Sequence, residues 1–185
     1  MRKIGLLVCI VAVLALCASG QTLITFSNMP STNHPLRMPD NYPGASFMNW
    51  DNFYFVSPQL WSGSGPGFEM GPDVRVAFVG GPLCSLQPSA CFGSIKVVLA
   101  PNATASFQPL QISLAAGWVP NSVVVHAYNQ SGLVGSVVWK LTTSAQVFTF
   151  PPEWTNVTQV MFYPSPAYRQ AGSMVAYTFL VTLNQ

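Results

Sequence analysis

The chain has 185 residues, half of them hydrophobic and 6% charged, with seven Lys and Arg against five Asp and Glu. That length suffices for one domain with a substantial core. The near-balanced charge argues against nucleic acid as a partner, because phosphate recognition needs a clustered excess of Lys and Arg. Only two histidines, His34 and His126, are available for acid–base or metal chemistry.

In chain order, Met1-Arg2-Lys3 is a basic segment, Ile4 to Leu16 is apolar, and Ala18-Ser19-Gly20 supplies small residues for cleavage. This is the pattern of a secretory signal peptide over residues 1–20. As a helix the apolar stretch would rise only about 20 Å, short of a hydrocarbon core of roughly 30 Å. The expectation is a secreted, extracellular protein whose mature part, residues 21–185, has no membrane span. Arg2 and Lys3 leave with the signal, so five basic residues then balance five acidic ones.

Thr22 to Ser27 reads as a first strand, and the Pro-, Asn- and Ser-rich text from Asn28 to Gly44 as an irregular loop. Phe47 to Val56, the densest aromatic stretch, reads as one strand, with Trp50 and Phe53 in the core. Ser57 to Asp73 is rich in Gly, Pro and Ser and reads as a long surface loop holding Trp61 and Phe68. Arg75 to Val79 is a further strand. Cys84 and Cys91 are expected to form one short disulfide in an oxidising compartment, and no metal site, because two thiols without nearby histidines do not complete a zinc set.

Phe92 to Ala100 and Leu110 to Ala116 are strands, followed by a hairpin from Ser122 to Thr143 turning at Asn129-Gln130-Ser131-Gly132. With Tyr128 facing Leu133, alternation puts Val123, Val125, Ala127, Val134, Ser136 and Val138 on one face, expected to be the core. Val124, His126, Tyr128, Leu133, Val137 and Trp139 then share the other. Gln146 to Phe150, Val157 to Tyr163 and Met174 to Leu183 complete about ten strands. Helical periodicity is absent after the first 20 residues, and prolines fall between the runs. The fold class is all-β, a single antiparallel β-sandwich of jelly-roll type. Three sequons, at Asn102, Asn129 and Asn156, lie at turns or strand edges and are expected N-glycosylation sites.

The text Ile24-Thr25-Phe26, Asn41 to Gly44 (Asn-Tyr-Pro-Gly) and Asn49-Trp50-Asp51-Asn52-Phe53-Tyr54 resembles a family of secreted β domains. Its members begin "ITFDDL", continue "P-x-x-Y-x-G-L-x-W-x-N-F", and occur in fungal, oomycete and bacterial exported proteins. The likeness extends through Leu110 to Trp118, the hairpin, Phe150, Trp154 to Val157 and Val160 to Phe162. It implies a jelly roll of the carbohydrate-binding type and brings no catalytic site. Ser27-Asn28 stand where the family carries two acids, and Tyr177 to Val181 where an Asp-Asn pair is common. No calcium site is therefore carried over, since hard cations need several anionic oxygens. No cofactor is implied.

An enzyme finds little support: HExxH, GxSxG and phosphate-binding glycine loops are absent from the sequence. Nothing pairs the carboxylates of Asp40, Asp51, Glu69, Asp73 and Glu153 as a glycosidase requires. Sugar recognition commonly sets aromatic rings against apolar sugar faces, with amides and carboxylates taking the hydroxyls. Trp61, Trp118, Trp139 and Trp154, in or near expected loops and strand ends, are the candidate contacts, Trp61 foremost. The reading is a non-catalytic binding domain for extracellular or cell-wall polysaccharide. The alternative is a structural, self-associating cell-surface or matrix protein.

Overall fold

The computed structural model describes residues 20–39, 48–60, 62, 65–68, 75–81, 92–97, 105–165 and 169–184. Residues 1–19 of the expected signal peptide, Trp61, Cys84, Cys91 and Asn102 lie outside them. The described strands are β1 (Gln21–Thr25), β2 (Leu36–Arg37), β3 (Met48–Asp51), β4 (Tyr54–Val56), β5 (Val76–Gly81), β6 (Gly93–Val97), β7 (Ser106–Ala116), β8 (Asn121–Asn129), β9 (Gly132–Leu141), β10 (Gln146–Thr149), β11 (Gln159–Ser165) and β12 (Arg169–Asn184). All pairings are antiparallel. One sheet runs β10-β7-β12-β5-β4-β2, with β1 also on β12; the other runs β3-β6-β11-β8-β9.

The two sheets face each other across one core, because alternate residues of each strand point inward. The five-stranded sheet sends in Trp50, Ile95, Val125 and Phe162, and the seven-stranded sheet sends in Ile112, Leu114, Phe179 and Val181. Trp50 anchors the centre, edge-on to Phe26 at 5.2 Å, Phe53 at 5.1 Å and Phe179 at 6.0 Å. Each such pair contributes about 0.5–1.5 kcal/mol beyond its burial.

Twelve strands replace the expected ten for two local reasons. Leu36–Arg37 pairs with Tyr54 and Phe55 inside the stretch read as loop. The run read as one strand from Phe47 to Val56 is two strands in opposite sheets. β3 pairs with β6, and β4 pairs with β5. The chain crosses between them at Asn52, whose φ of 61° lies in the left-handed region that Asn tolerates better than most residues.

The hairpin forms at the expected place with Tyr128 opposite Leu133, but one arm turns its other face inward. Ala127 pairs with Gly135 and Tyr128 with Leu133, so Val134 is an extra residue, a β-bulge. Past it the alternation is shifted by one. Val137, Trp139 and Leu141 pack on the core, while Ser136 and Val138, expected inside, are exposed, Val138 to 64%. Val123, Val125 and Ala127 are buried as expected. Just past the bulge, a Cβ at Gly135 would fall 2.5 Å from Trp154 Nε1, so glycine there gives the buried Trp154 ring its seat.

The stretch read as a surface loop between β4 and β5 also differs. Phe68 is 1% exposed and packs with Val56, Val76, Phe78 and Val175 on the outer face of the seven-stranded sheet. Gly67 N donates to Gly117 O at 2.9 Å, and Tyr177 Oη donates to Gly67 O. A Cβ at Gly67 would lie 1.7 Å from the Ala116 carbonyl oxygen, so only glycine allows this approach.

Candidate functional site

The outer face of the five-stranded sheet follows from the same alternation that builds the core. On β11, Val160, Phe162 and Pro164 are buried, while Gln159, Met161 and Tyr163 remain partly exposed. On β8, Val124, His126 and Tyr128 face outward, opposite Tyr163, Met161 and Gln159 of β11 respectively. Phe92, immediately before β6, is also partly exposed.

These residues form an unbroken row of rings across the sheet. Tyr128 and His126 have centroids 6.2 Å apart, His126 and Tyr163 5.3 Å, and Tyr163 and Phe92 5.8 Å with planes only 29° apart. Two hydrogen bonds hold three of the rings in orientation. His126 Nδ1 lies 3.2 Å from Tyr128 Oη, and Tyr163 Oη donates to Met161 Sδ at 3.2 Å. Burial, with the neighbouring Tyr128 phenol second, raises the Tyr163 phenol above its ordinary value of 10.0, so it is a neutral hydroxyl at physiological pH.

Polar groups border the row on the β6 and β3 side. Gln159 Nε2 donates to Ser94 Oγ at 2.7 Å, and Lys96 Nζ lies 2.9 Å from Asp51 Oδ2. The face thus offers partly exposed ring surface beside a carboxamide, a carboxylate and an ammonium. Such a surface can stack against a flat apolar ligand face while taking up hydroxyls at its margin.

None of the described tryptophans joins this row. Trp154 is 2% exposed in the core, so the expectation that it contacts ligand is corrected: its ring is enclosed against Phe150 and β9. Trp139 is partly buried, stacked on Phe148 at 4.9 Å and edge-on to Phe150 at 5.0 Å, closing one side of the sandwich between β9 and β10. Trp118 is partly buried against Phe68 at 5.1 Å, on the opposite outer face. Among the described residues, the rings that share an open face are Tyr128, His126, Tyr163 and Phe92. Alternation alone places His126 and Tyr128 outward. Their meeting with Tyr163 and Phe92 depends on β11 pairing between β8 and β6, which no local pattern signals.

Of the sequons within the described residues, Asn129 ends β8 and Asn156 occupies an exposed turn with φ of 54°. Among the described residues, no three His, Cys, Asp or Glu side chains come together in a way that could hold a metal ion.

No protein-family profile and no curated protein matches the chain. Among solved structures it is similar to BiXyn10A CBM1 in its apo form, at 16% identity and a TM-score of 0.30, over 49% of this chain and 72% of that one. It is also similar to a CBM4, at 16% identity and a TM-score of 0.25, over 50% of this chain and 68% of that one. The enzymatically active domain of bacteriophage CBA120 tailspike protein 4 aligns at 12% identity and a TM-score of 0.29, over 90% of this chain but 20% of that one. Likeness at this level carries no function across.

Proposed function

We propose that the chain is a secreted, non-catalytic domain that binds extracellular or cell-wall polysaccharide through the ring row of its five-stranded sheet. The observation that carries this reading is the continuous Tyr128, His126, Tyr163 and Phe92 surface, partly exposed and bordered by Gln159, Lys96 and Asp51. A saccharide chain presents alternating apolar ring faces and hydroxyl rims, and this surface offers the complementary pair. Export, the Cys84–Cys91 disulfide, a glycan on at least one sequon and a jelly-roll winding of the two sheets belong to the same reading. They are supported by the basic and apolar start of the chain, the even count of two cysteines after residue 20 and the resemblance of its "ITF" and "NWDNFY" text to secreted β domains.

The test is retention on insoluble chitin, cellulose, β-glucan and mannan, with Tyr163→Ala beside the parent chain. Retention of the parent on at least one polymer, lost in the variant, is expected. Clean flow-through on all four overturns the reading.

A second reading, self-association, is favoured by β9. It is an edge strand of ten residues that exposes Leu133 to 58% and Val138 to 64%, and an apolar sheet edge is a template for pairing with another chain. Concentration-dependent sedimentation that sugars leave unchanged and Val138→Lys abolishes would favour it.

A further inference from the structure

Residues adjoining one end of the ring row in the chain line a polar cleft. Asn129 follows Tyr128 in the chain and Thr158 precedes Gln159, and these two residues, with Ser106, Gln130, Ser131 and Asn156, line a cleft of about 260 Å³. Thr158 N donates to Tyr128 O at 2.8 Å, tying the cleft to the last ring of the row.

The lining is held in a defined polarity. Asn156 Oδ1 accepts from Asn184 Nδ2 at 3.2 Å and from Ser106 Oγ at 3.4 Å, while Asn184 Nδ2 also donates to Ser106 Oγ at 3.1 Å. Asn129 Oδ1 accepts from Ser131 N at 2.8 Å. With Asn156 Oδ1 holding two donors and Asn129 Oδ1 one, the groups left for a ligand are the amide hydrogens and one lone pair of Asn129 Oδ1. Thr158 Oγ1 donates to Tyr128 O at 3.3 Å, which leaves its oxygen lone pairs as acceptors. Among the described residues, no charged side chain lines the cleft. A phosphate or carboxylate would want Arg or Lys, and a hard cation would want carboxylates. Neutral donors and acceptors fixed in place match a neutral polyol, and the volume lies below the range of drug-sized pockets, on the scale of one sugar unit.

We infer that this cleft is a subsite for a single neutral sugar unit, the terminal unit of a chain lying along the ring row; it rests on the polysaccharide reading above. Asn129 and Asn156 are also sequon residues, and a glycan bonded to the Nδ2 of either would remove that donor and fill the cleft, so the subsite operates in chains unglycosylated at these two positions, and such a chain is the material to test.

The experiment is a backbone-amide NMR titration of that chain with free glucose, N-acetylglucosamine and mannose, then with oligosaccharides of the polymer that retains it. At least one monosaccharide is expected to shift Gln130, Ser131 and Thr158, equally in Tyr163→Ala. Asn156→Asp keeps the accepting oxygen and removes the amide donor, and should weaken that binding about tenfold, the worth of one hydrogen bond. Gln130→Ala, at the exposed hairpin tip, gives an independent check that leaves the fold intact. Shifts along the ring row with a silent cleft overturn the subsite and leave the polysaccharide reading standing. Cleft shifts with rings that no oligosaccharide perturbs uphold the subsite and overturn the ring row. Silence at both overturns both.

Discussion

The two outer faces of the sandwich carry the same kind of side chain in opposite conditions. On the seven-stranded sheet, Phe68, Phe78, Trp118 and Tyr54 form a second aromatic cluster, sealed where Gly65–Phe68 docks against Ala116 and Gly117. On the five-stranded sheet, Tyr128, His126, Tyr163 and Phe92 form a row partly open to solvent. Rings under a docked segment contribute stability by leaving water on folding; rings left on an open face retain that contribution for a ligand. The covering segment, and not the residue type, separates a structural aromatic cluster from the proposed binding surface.

The largest expected effect comes from breaking the sealed face. Phe68→Ala should cost about 3–5 kcal/mol of stability, the range for deleting a buried phenylalanine, read from the shift of the denaturant midpoint. Polysaccharide retention measured well below the transition should stay unchanged. Gly67→Ala places a methyl where the Ala116 carbonyl stands and should cost about 1–3 kcal/mol. Because it lifts the docked segment, limited proteolysis near residues 65–68 should accelerate in step.

On the open face the balance reverses. Tyr163→Ala should weaken polysaccharide binding about tenfold, the equivalent of one aromatic contact, while the unfolding midpoint moves little. A variant that loses stability as severely as Phe68→Ala would show that Tyr163 is structural and the comparison mistaken.

The smallest effect is electrostatic. Below pH 10 the Tyr163 phenol is neutral in folded and unfolded chains alike. As pH rises past 10 the unfolded chain ionises first, because the folded phenol is held above its ordinary value by burial and by Tyr128. Its contribution is therefore fully present below pH 10 and lost as pH climbs through the folded value. Spectrophotometric titration should show one tyrosine ionising late, absent in Tyr163→Phe, and the variant should lose less stability in that alkaline window.

Much of this architecture is legible in the residues. The prolines between runs, the period-two alternation and the missing helical period lead to an all-β sandwich, and Trp50 and Phe53 are recognisable as core. The hairpin is placed correctly down to Tyr128 opposite Leu133, because the turn and both β-rich arms are local signals. Val134 escapes notice since a bulge adds a residue without changing composition, and its single step turns Ser136 and Val138 outward. The crossing at Asn52 is hidden for a related reason: one left-handed residue splits an aromatic run that reads as continuous. For the candidate site, tryptophan content points to Trp61, which lies outside the described residues, and to Trp118, Trp139 and Trp154, yet the ring row uses tyrosine, histidine and phenylalanine.

By itself, then, the sequence determined most of the extended segments, the turn between β8 and β9 and which side of β8 is apolar, because propensity, turn chemistry and alternation act within a few residues. Only the tertiary structure decided that β11 lies between β8 and β6, bringing Tyr163 beside His126 and Phe92, and that Gly67 closes one aromatic face while the other stays open. Those outcomes depend on strand order and on contacts between residues such as Tyr177 and Gly67, 110 positions apart. No local pattern encodes them, since it is the packing of the whole sandwich that selects which surface is covered.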